Sequence, residues 1–103
     1  MKFIKVEVFV PTYNKEKLIT ALNDNDILKY GFYDRVYSET RLTSHFRPLE
    51  GAKPREGKIN QTCHMEEIKL EFRIKASDKE KTLAIIKENH AYEEPVINMI
   101  ELL

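Results

Sequence analysis

The sequence predicts an α+β fold, a four-stranded antiparallel sheet with two helices on one face. Three observations predict it. Residues 67–75 read Glu-Ile-Lys-Leu-Glu-Phe-Arg-Ile-Lys, an alternation of apolar and charged residues without error. Successive strand side chains point to opposite faces, so Ile68, Leu70, Phe72 and Ile74 line one face and the charges the other. The stretches before and after this strand look like two versions of one unit, a strand and an amphipathic helix. Finally, residues 39–61 carry no helical pattern, whereas a doubly wound parallel sheet would want a helix there and longer continuous apolar runs.

The elements follow in chain order. Residues 3–10 form the first strand, with Ile4, Val6, Val8 and Val10 on one face and Phe3, Lys5, Glu7 and Phe9 on the other. Pro11 denies the ladder a donor and ends it. A helix begins near Asn14, a competent N-cap, and turns Leu18, Ala21 and Leu22 inward, with Asn25 at the end of that stripe. The run Asn23-Asp24-Asn25-Asp26 is a poor helix interior and marks a turn.

Tyr30-Gly31 marks the exit, and the aromatic stretch 32–38 reads as the second strand. Residues 39–61 hold two of the four prolines and two of the three glycines, and so read as a long loop or irregular hairpin. A loop of this length in a small domain points to function or disorder. The strand resumes near Thr62 and runs into the central element. Ser77-Asp78-Lys79-Glu80 is a capping-box pattern. The helix it opens places Leu83, Ile86 and His90 on one stripe, flanked by Ala84 and Ile85. Residues 91–95 end that helix, and 96–103 form the last strand. Two strand-helix-strand halves joined this way make a ferredoxin-like βαββαβ sandwich.

The bulk numbers narrow the function. The 103 residues are expected to form a single domain with its own core. Seventeen basic residues balance seventeen acidic ones, which argues against a general nucleic-acid or membrane-surface binder. No apolar run approaches the roughly 20 residues that span a bilayer, and the first residues show no signal-peptide core. The lone Cys63 excludes an internal disulfide. The expectation is a soluble cytoplasmic protein without nucleic-acid or membrane partners.

Three groups of residues invite chemistry. Cys63 and His64 are neighbours on a strand and face opposite ways, so a metal site needs one of them joined by His45 or by a second subunit. The pattern favours scattered histidines and a passive thiol, and no cofactor is expected. Tyr92, Glu93 and Glu94 suggest a carboxylate pair, but consecutive residues entering a strand diverge, which suits a structural or interface role better than acid-base work. The loop sets Arg41, Arg47, Lys53, Arg55 and Lys58 against Glu39, Glu50 and Glu56. With Gly51 and Gly57 freeing the backbone, Arg47, Lys53 and Arg55 are candidates for holding an anion or phosphate. No Walker or dinucleotide fingerprint supports that, and a solvated or subunit-bridging loop is the simpler reading.

The C-terminal third, His90-Ala91-Tyr92-Glu93-Glu94-Pro95-Val96-Ile97, resembles the His-Pro-Tyr-Glu stretch of the CutA and PII-like proteins. It is closer to the PII-like domain inserted in the NIF-three-like family. Phe46-Arg47-Pro48-Leu49-Glu50-Gly51-Ala52-Lys53-Pro54, followed by Gly57, is similar to that family's Phe-x-Pro-x-x-Gly-x-x-Pro-x-x-Gly segment. Gly31 and Tyr33 match its Gly-Asn-Tyr turn, with Phe32 in place of Asn. CutA itself differs, since its usual tryptophans are missing here. The resemblance implies a PII/CutA-like fold and a homo-oligomer, a trimer in particular. Family members carry their two metal ions on a flanking domain, so that chemistry transfers to no residue of this chain.

Independent of the resemblance, both faces of the last strand are mostly apolar, while helices cover only one face of such a sheet. Phe3 and Phe9 repeat the signal on the first strand. The expected oligomer interface therefore comprises Phe3, Phe9, Ile97 and Met99, with Tyr92, Glu93 and Glu94 beside them. Two functional readings result: a non-enzymatic oligomeric binding or regulatory module, or a metal-binding or metal-dependent accessory protein or enzyme using Cys63, His64 and the basic loop.

Overall fold

The computed structural model describes residues 2–103. Its elements are β1 (Phe3–Pro11), α1 (Lys15–Asp24), β2 (Ser38–Phe46), β3 (Cys63–Lys75), α2 (Lys79–Asn89) and β4 (Ile97–Glu101). One-turn 3-10 segments, Thr12–Asn14 and Ala76–Asp78, lead into the two helices. The strands lie in the order β2-β3-β1-β4, and every pairing is antiparallel. This is the ferredoxin-like arrangement the sequence predicts.

β1 and β3 form the centre because each has one face that is wholly apolar. Their register sets Val6 against Phe72, Val8 against Leu70 and Val10 against Ile68. Directly opposed residues share a face of the sheet, so these side chains form one apolar floor. Leu18, Ile19 and Leu22 of α1 and Ile85 and Ile86 of α2 close over it, and all are buried. The second face of β1 and β3 carries Lys5, Glu7, Lys69, Glu71 and Arg73 with Phe3 and Phe9, and no helix covers it.

Four local expectations are corrected. The second strand is Ser38–Phe46, within the stretch expected to be loop, and the connection to β3 is correspondingly shorter. Residues 32–37 are not strand: Tyr30 and Tyr33 exchange backbone hydrogen bonds of 2.8 and 3.0 Å around Gly31 and Phe32, and Arg35 adopts φ +52°. The Ser77 capping box does not form, because a 3-10 turn intervenes and Asp78 occupies the N-cap position without a side-chain bond. The buried stripe of α2 is Thr82, Ile85 and Ile86, while Leu83 is half-buried, Ala84 is exposed and His90 lies beyond the helix in extended conformation.

The last correction concerns the expected interface. The β1–β4 register places Met99 opposite Val6 and Ile97 opposite Val8, on the helix-covered face. Ile97 and Met99 are half-buried against the chain's own core. Asn98 and Ile100 are the β4 residues that share the open face with Glu7 and Lys5.

Thr82 is fully buried, and its hydroxyl has no hydrogen-bond partner among the described residues. An unpaired buried hydroxyl carries its full desolvation cost. Thr82→Val, which keeps the shape and removes the orphan, is expected to raise the unfolding free energy by about 1 kcal/mol, measured by urea denaturation. Unchanged or lower stability would show that the hydroxyl is satisfied.

Candidate functional site

At the end of the sheet where β1 meets Pro11, the connection between β2 and β3 folds back over the open face. Lys53 donates its backbone N–H to Glu93 Oε1 (3.3 Å). Arg55 donates Nε–H to the Tyr13 hydroxyl (3.1 Å), its guanidinium 5.6 Å from that ring's centre. The Tyr13 hydroxyl donates in turn to Glu56 Oε1 (3.0 Å). Gly57, at φ +84°, passes so close to the sheet that an added Cβ would stand 3.3 Å from Cys63 Cβ and 3.5 Å from Phe46. The loop is therefore docked, and its glycine is required by both backbone sign and space.

The opposite wall is the segment between α2 and β4, held by two side chains. Asn14, 5% exposed, donates Nδ2–H to the Asn89 carbonyl (3.0 Å) and accepts the Ala91 N–H at Oδ1 (2.8 Å). The sequence suggests Asn14 as a helix cap. It holds the N-cap position of α1, but its side chain clamps the end of α2 instead. His90 Nε2 lies 2.6 Å from the Phe9 carbonyl, and Nδ1 is 3.0 Å from the Tyr92 amide nitrogen. An amide can only donate, so Nδ1 accepts from it and Nε2–H donates to Phe9: the ring is neutral. Burial pushes the His90 pKa below 6.5, opposed by the Phe9 bond and by the Glu67 carboxylate.

Between these walls lies a cavity of about 500 Å³. Its apolar surfaces are Phe9, Phe46, Pro48, Ala52, Pro54 and Val96. Ser44, His45, Arg47, Arg55, Glu56, Glu67, Tyr92, Glu93 and Glu94 supply its polar edge. Glu67 is 5% exposed. The Tyr92 hydroxyl is directed at Met65 Sδ (3.4 Å). Burial first, then the nearby Glu67 carboxylate, raises its pKa far above the usual phenol range. The hydroxyl is thus a proton donor at any ordinary pH.

The sequence-derived candidates divide. Arg47 and Arg55 border the cavity together with Tyr92, Glu93 and Glu94, while Lys53 contributes only its amide. His45 and His64 are paired across β2 and β3 with ring centres 6.0 Å apart. Cys63 is paired with Phe46 and points to the other face. No group of three His, Cys, Asp or Glu residues is arranged to hold an ion among the described residues. Two residues central to the site escape the sequence reading as site residues: Asn14, which it offers only as a helix cap, and Glu67. Glu67 sits in a charged alternation that reads as solvated, whereas in the fold it is buried with Tyr92, from a distant segment, beside it.

No family model matches the chain. It is 35% identical over 100 residues to the GTP cyclohydrolase 1 type 2 homolog of Staphylococcus epidermidis. That match takes in 97% of this chain and 27% of the relative, so the chain spans about a quarter of the curated relatives it matches. A Bacillus cereus protein related to NIF3 superposes with a TM-score of 0.82 at 30% identity, over 98% of this chain and 26% of its own. CutA from Archaeoglobus fulgidus superposes at 0.71 with 14% identity, over 97% of this chain and 83% of its own. GlnK from B. subtilis superposes at 0.66 with 14% identity, over 99% and 86%. The chain therefore has the PII/CutA-like fold. It is similar to a segment of NIF3-related proteins, as the loop and the Tyr-Glu-Glu-Pro stretch imply.

Two outcomes test the cavity wall. Asn14→Ala leaves a part-buried carbonyl and a part-buried amide unpaired and is expected to cost about 1–3 kcal/mol. Asn14→Asp keeps the acceptor for Ala91 but sets a carboxylate oxygen against the Asn89 carbonyl, so it should also be destabilising at neutral pH; equal stability of all three proteins by urea denaturation would exclude the clamp. The second concerns pH. The folded pKa of His90 lies below its unfolded value, so the unfolded chain binds the proton first. His90's contribution is therefore complete above about pH 6.5 and declines as pH falls through that value toward the folded pKa. Denaturation midpoints between pH 5 and 7.5 should show this decline, and His90→Gln should flatten it.

Proposed function

We propose that this chain is a homo-oligomeric, non-enzymatic binding module of the PII/CutA type, a trimer that holds a small ligand or partner segment in the cavity. The open sheet face carries the reading. Phe3, Phe9, Leu42, Phe46 and Met65 are half-buried on that face, and Ile100 is 46% exposed beside them. At its centre Lys5 bridges Glu71 (2.8 Å) and Glu7 (3.3 Å), Lys69 lies 3.9 Å from Glu71, and Arg73 sits over the Phe3 ring. A surface that is apolar at both ends, with its central carboxylates held by lysines, is suited to burial against copies of itself. The edge strands β2 and β4 leave backbone groups available for the same contact. Cyclic symmetry would cover both without leaving a free edge.

The cavity supports binding rather than turnover. The Tyr92 hydroxyl holds its proton, His90 is committed to two hydrogen bonds, and Glu93 and Glu56 are tied to the loop. No nucleophile is paired with a base there. The lone free thiol and the charge-balanced surface suit a soluble protein of the cytoplasm. No helix among the described residues is long and apolar enough to cross a membrane.

Sedimentation equilibrium at micromolar concentration is expected to return about three times the 12.2 kDa chain mass. A clean monomer would overturn the proposal. Ile100→Lys places a charge on the open face at a position already accessible in the single chain. It is expected to give a folded species of lower mass, because a lysine without a partner is costly to bury between subunits. Met99→Lys should instead unfold the chain, since Met99 packs into its core.

A further inference from the structure

We propose that the cavity is selective for an organic ammonium, a protonated amine carried on an apolar or aromatic frame. This rests on the binding-module reading and adds the chemical class of the ligand. Four carboxylates border the cavity, those of Glu56, Glu67, Glu93 and Glu94, against the two guanidiniums of Arg47 and Arg55. Arg55 is drawn aside onto the Tyr13 ring and hydroxyl, and Lys53 offers the site only a backbone amide already given to Glu93. The cavity is therefore net negative, contrary to the anion-holding role that Arg47, Lys53 and Arg55 suggest in sequence.

Glu67 decides the sign. It is 5% exposed, and that exposure opens on the cavity it helps to line. Removing a carboxylate from water without a cation is costly, and a buried carboxylate is ordinarily matched by a positive partner. Its polar neighbour is the Tyr92 hydroxyl, a neutral donor, and none of the described ion pairs uses Glu67. An incoming ammonium supplies the missing charge and donates up to three hydrogen bonds. The rest of the lining fits the same ligand. Phe9, Phe46 and Tyr92 present aromatic surface, which attracts cations through the ring quadrupole. Pro48, Pro54 and Val96 offer apolar contact for a frame. A volume of about 500 Å³ matches a small-molecule site and exceeds what a simple inorganic ion fills. An anion would meet Glu67 at the floor and Glu56 and Glu93 at the loop.

The test uses a matched pair of probes, phenethylammonium and phenylpropionate, with inorganic phosphate as a third, titrated calorimetrically into the native protein at pH 7.5. Phenethylammonium is expected to bind, with affinity falling as salt is raised, and the two anions not to bind. Glu67→Gln should weaken ammonium binding about tenfold or more, while thermal stability without ligand stays equal or rises because a buried charge has been removed. Glu94→Gln, at the exposed rim, should produce a smaller fall of the same sign and serves if Glu67→Gln does not fold. Tighter binding of phenylpropionate or phosphate would overturn the ligand class while leaving a binding module. Unaltered ammonium affinity in both variants would remove Glu67 and the rim from the site. Binding of none of the probes would overturn the cavity as a ligand site, and the oligomer mass would still judge the module separately.

Discussion

The functional end of this fold hangs on a single residue of β1. The Phe9 carbonyl receives the His90 ring, and the Phe9 amide donates to the Val96 carbonyl at 3.2 Å. The same residue pairs with Lys69 of β3, and its ring forms part of the cavity wall. One strand residue thus fixes the start of β4, the turn after α2 and the floor of the cavity. Asn14, just past the end of β1, completes the arrangement by holding the end of α2. Backbone groups at element ends must find partners when they are buried. Here those obligations converge on two side chains that a short span of sequence delivers to one place.

The core was legible because it obeys period two. The alternation in β1 and β3 placed all eight inward residues correctly, since one buried face and one charged face leave a single register possible. β2 was not legible for the opposite reason. Ser-Glu-Thr-Arg-Leu-Thr-Ser-His-Phe has no dominant apolar face, and an edge strand flanked by one neighbour needs none. The preceding aromatics at Phe32, Tyr33 and Tyr37 carry higher strand propensity, yet Gly31 at φ +60° and Arg35 at φ +52° break the extended conformation there. Tertiary pairing with the long β3 outweighed local preference.

The last strand shows a different limit. Where both faces are apolar, alternation cannot say which one meets the helices, and only the pairing of Val6 with Met99 settles it. The site was opaque for a related reason. Its charge is the sum of contributions from residues distant in sequence, so the basic excess of the loop alone does not give it. Docking turned Arg55 away and brought Glu67, Glu93 and Glu94 in. Motif resemblance placed the loop and the Tyr-Glu-Glu-Pro stretch correctly because both are local runs, and those runs prove to be facing walls of one cavity.

The close passage of Gly57 over Cys63 gives the molecule a built-in reporter. Cys63 is the only thiol in the chain, and it is half-buried beside the docked loop. The alkylation rate of that sulfur in the native protein is therefore sensitive to how closely the loop is docked, with no residue changed. Ligands that close the cavity slow the modification, and partners that pry the loop loose hasten it, so mass spectrometry can follow the loop in unfractionated lysate.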